Sequence, residues 1–289
     1  MRSVGIGLVV LAGCAGAGER VSFVSNEQPN GNYNGQGTVS KSAAHQESPN
    51  GGASRTMDLG EDDQIEPEHP AASTKQERAL VHIHGPKRVC SGVVLAPKLV
   101  ATAQRCLREM PKGVLTLQGP EQELRVEVAS SAMTWTNRRA KYAAIPACEE
   151  GELDVALLVL EEAVPSFVVP LSIVSAPDVG ARVQALGFGH CPGSKERMTE
   201  KVGAVRSRVS DSVVIDVPLC RGDAGGPVVD GNAGEVIGVI SRRDNPVDSP
   251  LKTTAIARLD TGNARGLLDL GKALADGGDA AKLKPVACR

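Results

Sequence analysis

The residues whose types and spacing bear on covalent chemistry centre on one glycine-rich stretch. In Cys220-Arg-Gly-Asp-Ala-Gly-Gly-Pro227, glycines surround an acidic residue and an alanine. Ala224 has no oxygen with which to attack a carbonyl, so no neighbouring base can activate it. A second candidate is Asp154, which opens the apolar run Asp-Val-Ala-Leu-Leu-Val-Leu160. Taken singly it is a weak signal, since many buried strands begin this way. The histidines are His45 and His69 in a polar N-terminal stretch, His82 and His84 on an apolar segment, and His190 after Gly187-Phe-Gly189. No hydroxyl is expected beside His190, which reads as an ordinary exposed loop side chain, although a relocated site around it stays open. Cys-x-x-Cys spacing is absent, so no metal site and no cofactor is expected.

The elements that must position these residues begin with a chain of 289 residues, enough for one large or two small domains with ample core. A formal net charge of −2 gives no global basic field to attract nucleic acid. Aromatic residues are only 2 %, so the core must be Val, Leu, Ile and Ala, and stacking platforms for single-stranded nucleic acid are missing. No apolar run reaches the roughly 18 to 20 residues of a spanning helix.

At the N-terminus, Arg2 precedes the apolar run Val4–Leu11 and then Ala12-Gly13-Cys14. A charged start, a short apolar segment and small residues at its end describe a secretory signal. Leu11-Ala-Gly-Cys14 also resembles a bacterial lipobox, which implies a signal over residues 1–14, lipidation of Cys14 and an exported protein anchored at a membrane of the cell envelope. Several acyl chains on one residue anchor stably where one chain does not. The alternative is an ordinary signal cut near Ala15 or Ala17. Residues 15–75 are dominated by Asn, Gly, Ser, Gln and Glu, a composition that cannot bury enough apolar surface to offset chain entropy, and they read as a disordered tether. Its acidic Glu61-Asp-Asp63 reads as a solvated patch.

From residue 76 to 289 short β-rich runs alternate with turn residues. Strands are expected at 79–84, 89–95, 99–102, 114–117, 124–129, 155–160, 182–187, 213–217, 235–241 and 253–258, a pattern of an all-β barrel or sandwich. One helix is expected last, capped by Thr261, with Ala264, Leu267, Leu268 and Leu274 on its apolar face and Gly277 as its stop.

The stretch around Ala224 resembles the nucleophile loop of trypsin-like, chymotrypsin-fold serine proteases, Cys-x-Gly-Asp-Ser-Gly-Gly-Pro, with alanine in place of the serine. Cys90-Ser-Gly through Leu99-Val-Ala-Thr-Ala-Gln-Arg-Cys106 is similar to the family's first barrel, where the histidine base stands at the position of Arg105. Asp154-Val-Ala-Leu-Leu is similar to the run whose aspartate orients that histidine. The three landmarks follow the family's chain order. The resemblance implies an all-β fold of two six-stranded antiparallel β-barrels with a C-terminal α-helix. It also implies an oxyanion hole from the N–H groups of Gly222 and Ala224. Arginine cannot replace the base, because its pKa above about 12 leaves no free lone pair.

Further departures concern specificity and maturation. The segment matching the family's Ser-Trp-Gly is Ser241-Arg242-Arg243, and the residue matching the pocket floor is Pro218, so the substrate pocket is expected to be narrowed or plugged. No cleavable Ile/Val start that could pair with Asp223 is found, Ile65-Glu66-Pro67 being a poor match. Arg105 at the base position could reach the Asp154 carboxylate and form a partly buried ion couple. Six cysteines follow Cys14, which allows 15 pairings. The resemblance implies Cys90–Cys106 and makes Cys191–Cys220 plausible, which leaves Cys148–Cys288.

The resulting expectation is a catalytically inactive trypsin-like protease homologue, tethered to a membrane, that binds or regulates a protein or peptide partner. Arg138, Arg139, Lys141, Arg242 and Arg243 could make the cleft face basic and favour an acidic partner. The alternatives are an active serine-type endopeptidase with a relocated nucleophile and base, and a structural envelope lipoprotein.

Overall fold

The computed structural model describes residues 70–148, 152–191, 198–244 and 252–288. The signal, Cys14, the tether through residue 69, the acidic patch, His45, His69 and Ile65-Glu66-Pro67 lie outside the described residues. Among those described, no helix is long and apolar enough to cross a membrane.

The first seven strands are β1 (Leu80–His84), β2 (Val89–Ala96), β3 (Leu99–Thr102), β4 (Gly113–Thr116), β5 (Arg125–Ala129), β6 (Trp135–Ile145) and β7 (Ala156–Leu160). They pair antiparallel in the order β4-β6-β5-β1-β2-β3-β7, and β6 also pairs with β7, which closes the sheet into a barrel. β5 takes residues 135–139 of β6 and β4 takes residues 142–145, so seven segments fill six barrel positions. The second barrel is closed by β8 (Arg182–Gly187), β9 (Thr199–Val209), β10 (Ser212–Ile215), β11 (Pro227–Asp230), β12 (Val236–Arg243) and β13 (Thr254–Arg258), in the order β10-β13-β12-β11-β8-β9. Closure removes the exposed edges that an open sheet would have to protect.

Period-two alternation splits each central strand between two apolar layers. All five residues of β7 are buried: Ala156, Leu158 and Leu160 join the interior of the first barrel with Val81, Ile83, Val94 and Val100. Leu157 and Val159 face the other way, into a layer shared with Leu99, Val239, Leu259 and the C-terminal helix. The second barrel packs Val183, Val213, Ile215, Ile237 and Ile256 inside itself.

That helix, α2 (Gly262–Ala275), is capped by Thr261, whose Oγ1 accepts from the Ala264 N–H at 3.4 Å. It ends where Gly277 turns to φ +94°. Ala264, Leu267 and Leu274 are buried as expected, Leu268 is half-buried, and Leu270 and Gly271 complete the covered face. Burying each leucine contributes about 1.5–3 kcal/mol.

The ten expected strands all form, with ends moved by at most two residues. Three others were not legible. β9 buries only Thr199 and Val205, so backbone pairing to β8 and β10 holds it without an apolar stripe. The first half of β6 is polar in the same way, and β11 is short and follows directly on the glycine loop. A short helix, α1 (Lys75–Ala79), starts at a Thr74/Glu77 capping box. The residues before it already pack on the body: Ala72 is fully buried and its N–H donates to Ala132 O at 2.9 Å, while Trp135 Nε1 donates to Pro70 O at 3.0 Å. The expected boundary at 75/76 therefore falls inside ordered, packed chain.

Disulfides link Cys90 to Cys106, Cys148 to Cys288 and Cys191 to Cys220. The first holds the turn that carries Arg105, the second ties the tail to the approach to Asp154, and the third holds the entrance to the Ala224 loop.

Candidate active-site cleft

β3 runs directly into a 3₁₀ turn, Gln104–Leu107, that carries Arg105. Asp154 precedes β7, and the antiparallel pairing of Thr102 with Ala156 brings the carboxylate beside that turn. The Arg105 backbone N–H donates to Oδ1 at 3.0 Å and the Arg105 Nε to Oδ2 at 2.6 Å. Ser241, near the end of β12, donates its hydroxyl to the same Oδ2 at 2.6 Å. The carboxylate is 2 % exposed and the arginine side chain 22 %. Arg105 and Asp154 thus form the ion couple anticipated above, in a geometry where charge-assisted bonds are strong.

The loop from Cys220 to Pro227 is fixed from three sides. Ser91 of β2 donates its N–H to Ala224 O at 2.9 Å and its hydroxyl to Gly222 O at 2.8 Å, and the same hydroxyl accepts from the Phe188 N–H at 2.8 Å. Gly225 sits at φ +86°, where a Cβ would run into Thr102 Oγ1 and Ser91 O; only glycine satisfies both demands. The Gly226 N–H closes the loop on Asp223 O at 2.9 Å.

Asp223 is the third anchor and is only 1 % exposed. Its carboxylate accepts from the N–H groups of Gly189 at 2.9 Å and Cys220 at 2.8 Å, and from Thr199 Oγ1 at 3.3 Å. Its counter-charge is Lys201 of β9, whose ammonium pairs with Oδ2. Gly187 and Gly189 lie so close that a Cβ on either would strike this carboxylate, which explains Gly-Phe-Gly. In place of the chain start that Asp223 pairs with in relatives that mature by cleavage, an internal lysine neutralises it.

These parts border one cleft of about 990 Å³, lined in part by Arg105, Ala224, Gly222, Ser241, His82 and Phe188. Among the described residues, the N–H groups of Gly222 and Ala224 find no acceptor in the protein. They remain available to donate to a carbonyl oxygen or a carboxylate in the cleft. Arg105 presents a guanidinium with five donors and no acceptor, already engaged by Asp154, and Ala224 presents a methyl group.

The remaining expected site residues distribute differently. Ser241 lines the cleft, but Pro218 borders a separate cavity of about 10 Å³ with Lys201, Asp223 and Thr254, too small for a substrate side chain. Arg242 and Arg243 pair with Ala255 and Thr254 of β13 and are not among the described cleft-lining residues. Arg138, Arg139 and Lys141 also lie off the cleft: Arg138 turns to Ala163 O at 3.2 Å, and the other two stand exposed on β6. The expected basic face is therefore corrected. The cleft wall carries Lys87, Arg88 and Arg221 together with Glu109 and Glu127, and Lys87 pairs with Glu109 at 2.9 Å. His190 is exposed on the cleft rim, bridged backbone-to-backbone with Arg221 at 2.8 Å.

A family model described as Trypsin matches residues 68–261, more than half of the chain. The crystal structure of the Rv3671c protease in its inactive form is similar at 20 % identity and a TM-score of 0.49, covering 67 % of this chain and 89 % of that one. A serine-to-alanine mutant of Rv3671c from M. tuberculosis H37Rv, also in its inactive form, gives 21 % identity and a TM-score of 0.48 over 68 % and 88 % of the two chains. No curated protein matches the sequence. With the family pattern spanning both barrels and the loops that carry Arg105, Asp154 and Ala224, the chain belongs to the trypsin family.

Proposed function

We propose that this protein is a trypsin-family pseudoprotease: an exported, lipid-tethered module that binds a protein or peptide segment in its cleft and does not cleave it. The observation that carries the reading is the pairing of Arg105 with Asp154 at 2.6 Å, opposite a nucleophile loop that ends in a methyl group at Ala224. In an active triad the acid orients a base and the base activates a hydroxyl; here the acid neutralises a permanent cation and no hydroxyl follows. The donors that remain, Gly222 and Ala224 N–H, favour holding a carbonyl without turnover. Tethering rests on Leu11-Ala-Gly-Cys14 and on the polar stretch that follows it.

The test is cleavage of a diverse peptide library by the full chain, read by mass spectrometry, beside Asp154→Asn and the double variant Arg105→His/Ala224→Ser. The wild type is expected to cleave no more than Asp154→Asn, and the double variant to gain measurable hydrolysis of activated esters. Wild-type cleavage that disappears in Asp154→Asn would overturn the proposal.

A further inference from the structure

We infer that the cleft wall carries a zinc-class divalent metal site formed by His82, His84 and Glu127. β1 places His82 and His84 two residues apart, so both side chains leave the same face of the strand. β5 runs antiparallel beside it in a register that sets Glu127 directly opposite His82. The three side chains converge: His82 Nδ1 lies 3.2 Å from Glu127 Oε2, and His84 Nε2 lies 3.5 Å from the same oxygen. A tetrahedral ion with ligand bonds of about 2.0–2.1 Å spaces its ligand atoms by roughly 3.4 Å. Both separations match that spacing, so an ion could enter with small side-chain shifts.

The surroundings hold the cluster in place. The His82 ring stacks on Phe188 at 4.6 Å, Trp135 meets Phe188 edge-on at 5.5 Å, and the two histidine rings pack edge to face at 4.1 Å. His82 and Glu127 are 14 % and 12 % exposed, whereas His84 is 38 % exposed and gives the ion a route in. Two imidazoles and one carboxylate are the donor set of zinc and its neighbours, and a poor set for magnesium or calcium, which prefer all-oxygen cages. Three protein ligands leave a fourth position. His82 and Glu127 both line the cleft, so that position opens toward it and would take water or a carboxylate of a bound segment. The absence of Cys-x-x-Cys in the sequence did not signal this site, because its ligands lie on two strands 45 residues apart at the His82–Glu127 pair.

The test is calorimetric titration of the metal-stripped full chain with zinc chloride, repeated with cobalt(II) to read coordination from its visible spectrum. One equivalent is expected to bind, with the intense absorption of tetrahedral cobalt. His84→Ala and Glu127→Gln should each weaken binding by at least about tenfold, as loss of even supporting groups does, while His190→Ala leaves it unchanged. Should Glu127→Gln misfold, the accessible His84 decides. Failure of the wild type to take up either metal would mean a hydrogen-bonded His–Glu–His cluster only, and equal affinity in His84→Ala would place the ion elsewhere; either result overturns the proposal. Neither readout depends on cleavage, so it stands or falls apart from the pseudoprotease reading.

Discussion

Arg105 and Asp154 share a 2.6 Å ion pair at the seam of the two barrels, with Ser241 from the second barrel completing the carboxylate's shell at 2.6 Å. Because the carboxylate is almost wholly buried, removing one partner strands a charge. Arg105→Met or Asp154→Leu alone is expected to cost on the order of 3–5 kcal/mol, and the double substitution distinctly less than the sum. Denaturant unfolding of the three variants measures the coupling.

Lys201 and Asp223 form a second couple of this kind beneath the glycine loop. Lys201→Met should destabilise on the order of 3–5 kcal/mol, and adding Asp223→Asn should recover part of that loss. Hydrogen exchange gives the local readout: amides of residues 220–226 exchange faster in Lys201→Met, while those of β7 do not. Uniform acceleration across the body would argue against a local anchor.

Gly225 and Gly180 separate strain from packing. Both have positive φ, +86° and +90°, but only Gly225 has neighbours where a Cβ would stand. Gly180→Ala is expected to cost about 1–2 kcal/mol from backbone strain alone. Gly225→Ala adds the displacement of Thr102 and Ser91 and should cost clearly more, measured as the difference in thermal midpoint.

Asp260 ties the end of β13 to the helix that follows. Burial pushes its carboxyl up, but the hydrogen bonds and charge of Arg258 (2.9 and 2.8 Å) outweigh burial and leave it below the usual carboxylate range. A depressed folded pKa contributes stability that is present above the unfolded value, about 4, and is lost as pH falls through the lower folded value. Asp260→Asn should therefore flatten the loss of stability below about pH 4. An unchanged acid limb in the variant would show that the pair contributes nothing there.

The sequence by itself determined ten of the thirteen strands, because those carry the apolar residues that the two barrels bury. Thr261 and Gly277 mark the helix for local reasons, side-chain capping and a left-handed turn. The glycines about Asp223 mark a loop where backbone approaches backbone. Arg105 and Ala224 were legible as residues without a lone pair or an oxygen, since that is a matter of residue type.

Only the tertiary structure decided which charge neutralises Asp223. Lys201 reads as one more charge on a polar strand, and nothing near it in the chain points to Asp223, 22 residues away. Arg138, Arg139, Arg242 and Arg243 show the converse: the strand segments that carry them do not line the cleft. His82 and Glu127 meet through strand pairing alone. Local propensity and residue chemistry are written along the chain, whereas charge partnership and ligand convergence depend on distances that exist only once the barrels close.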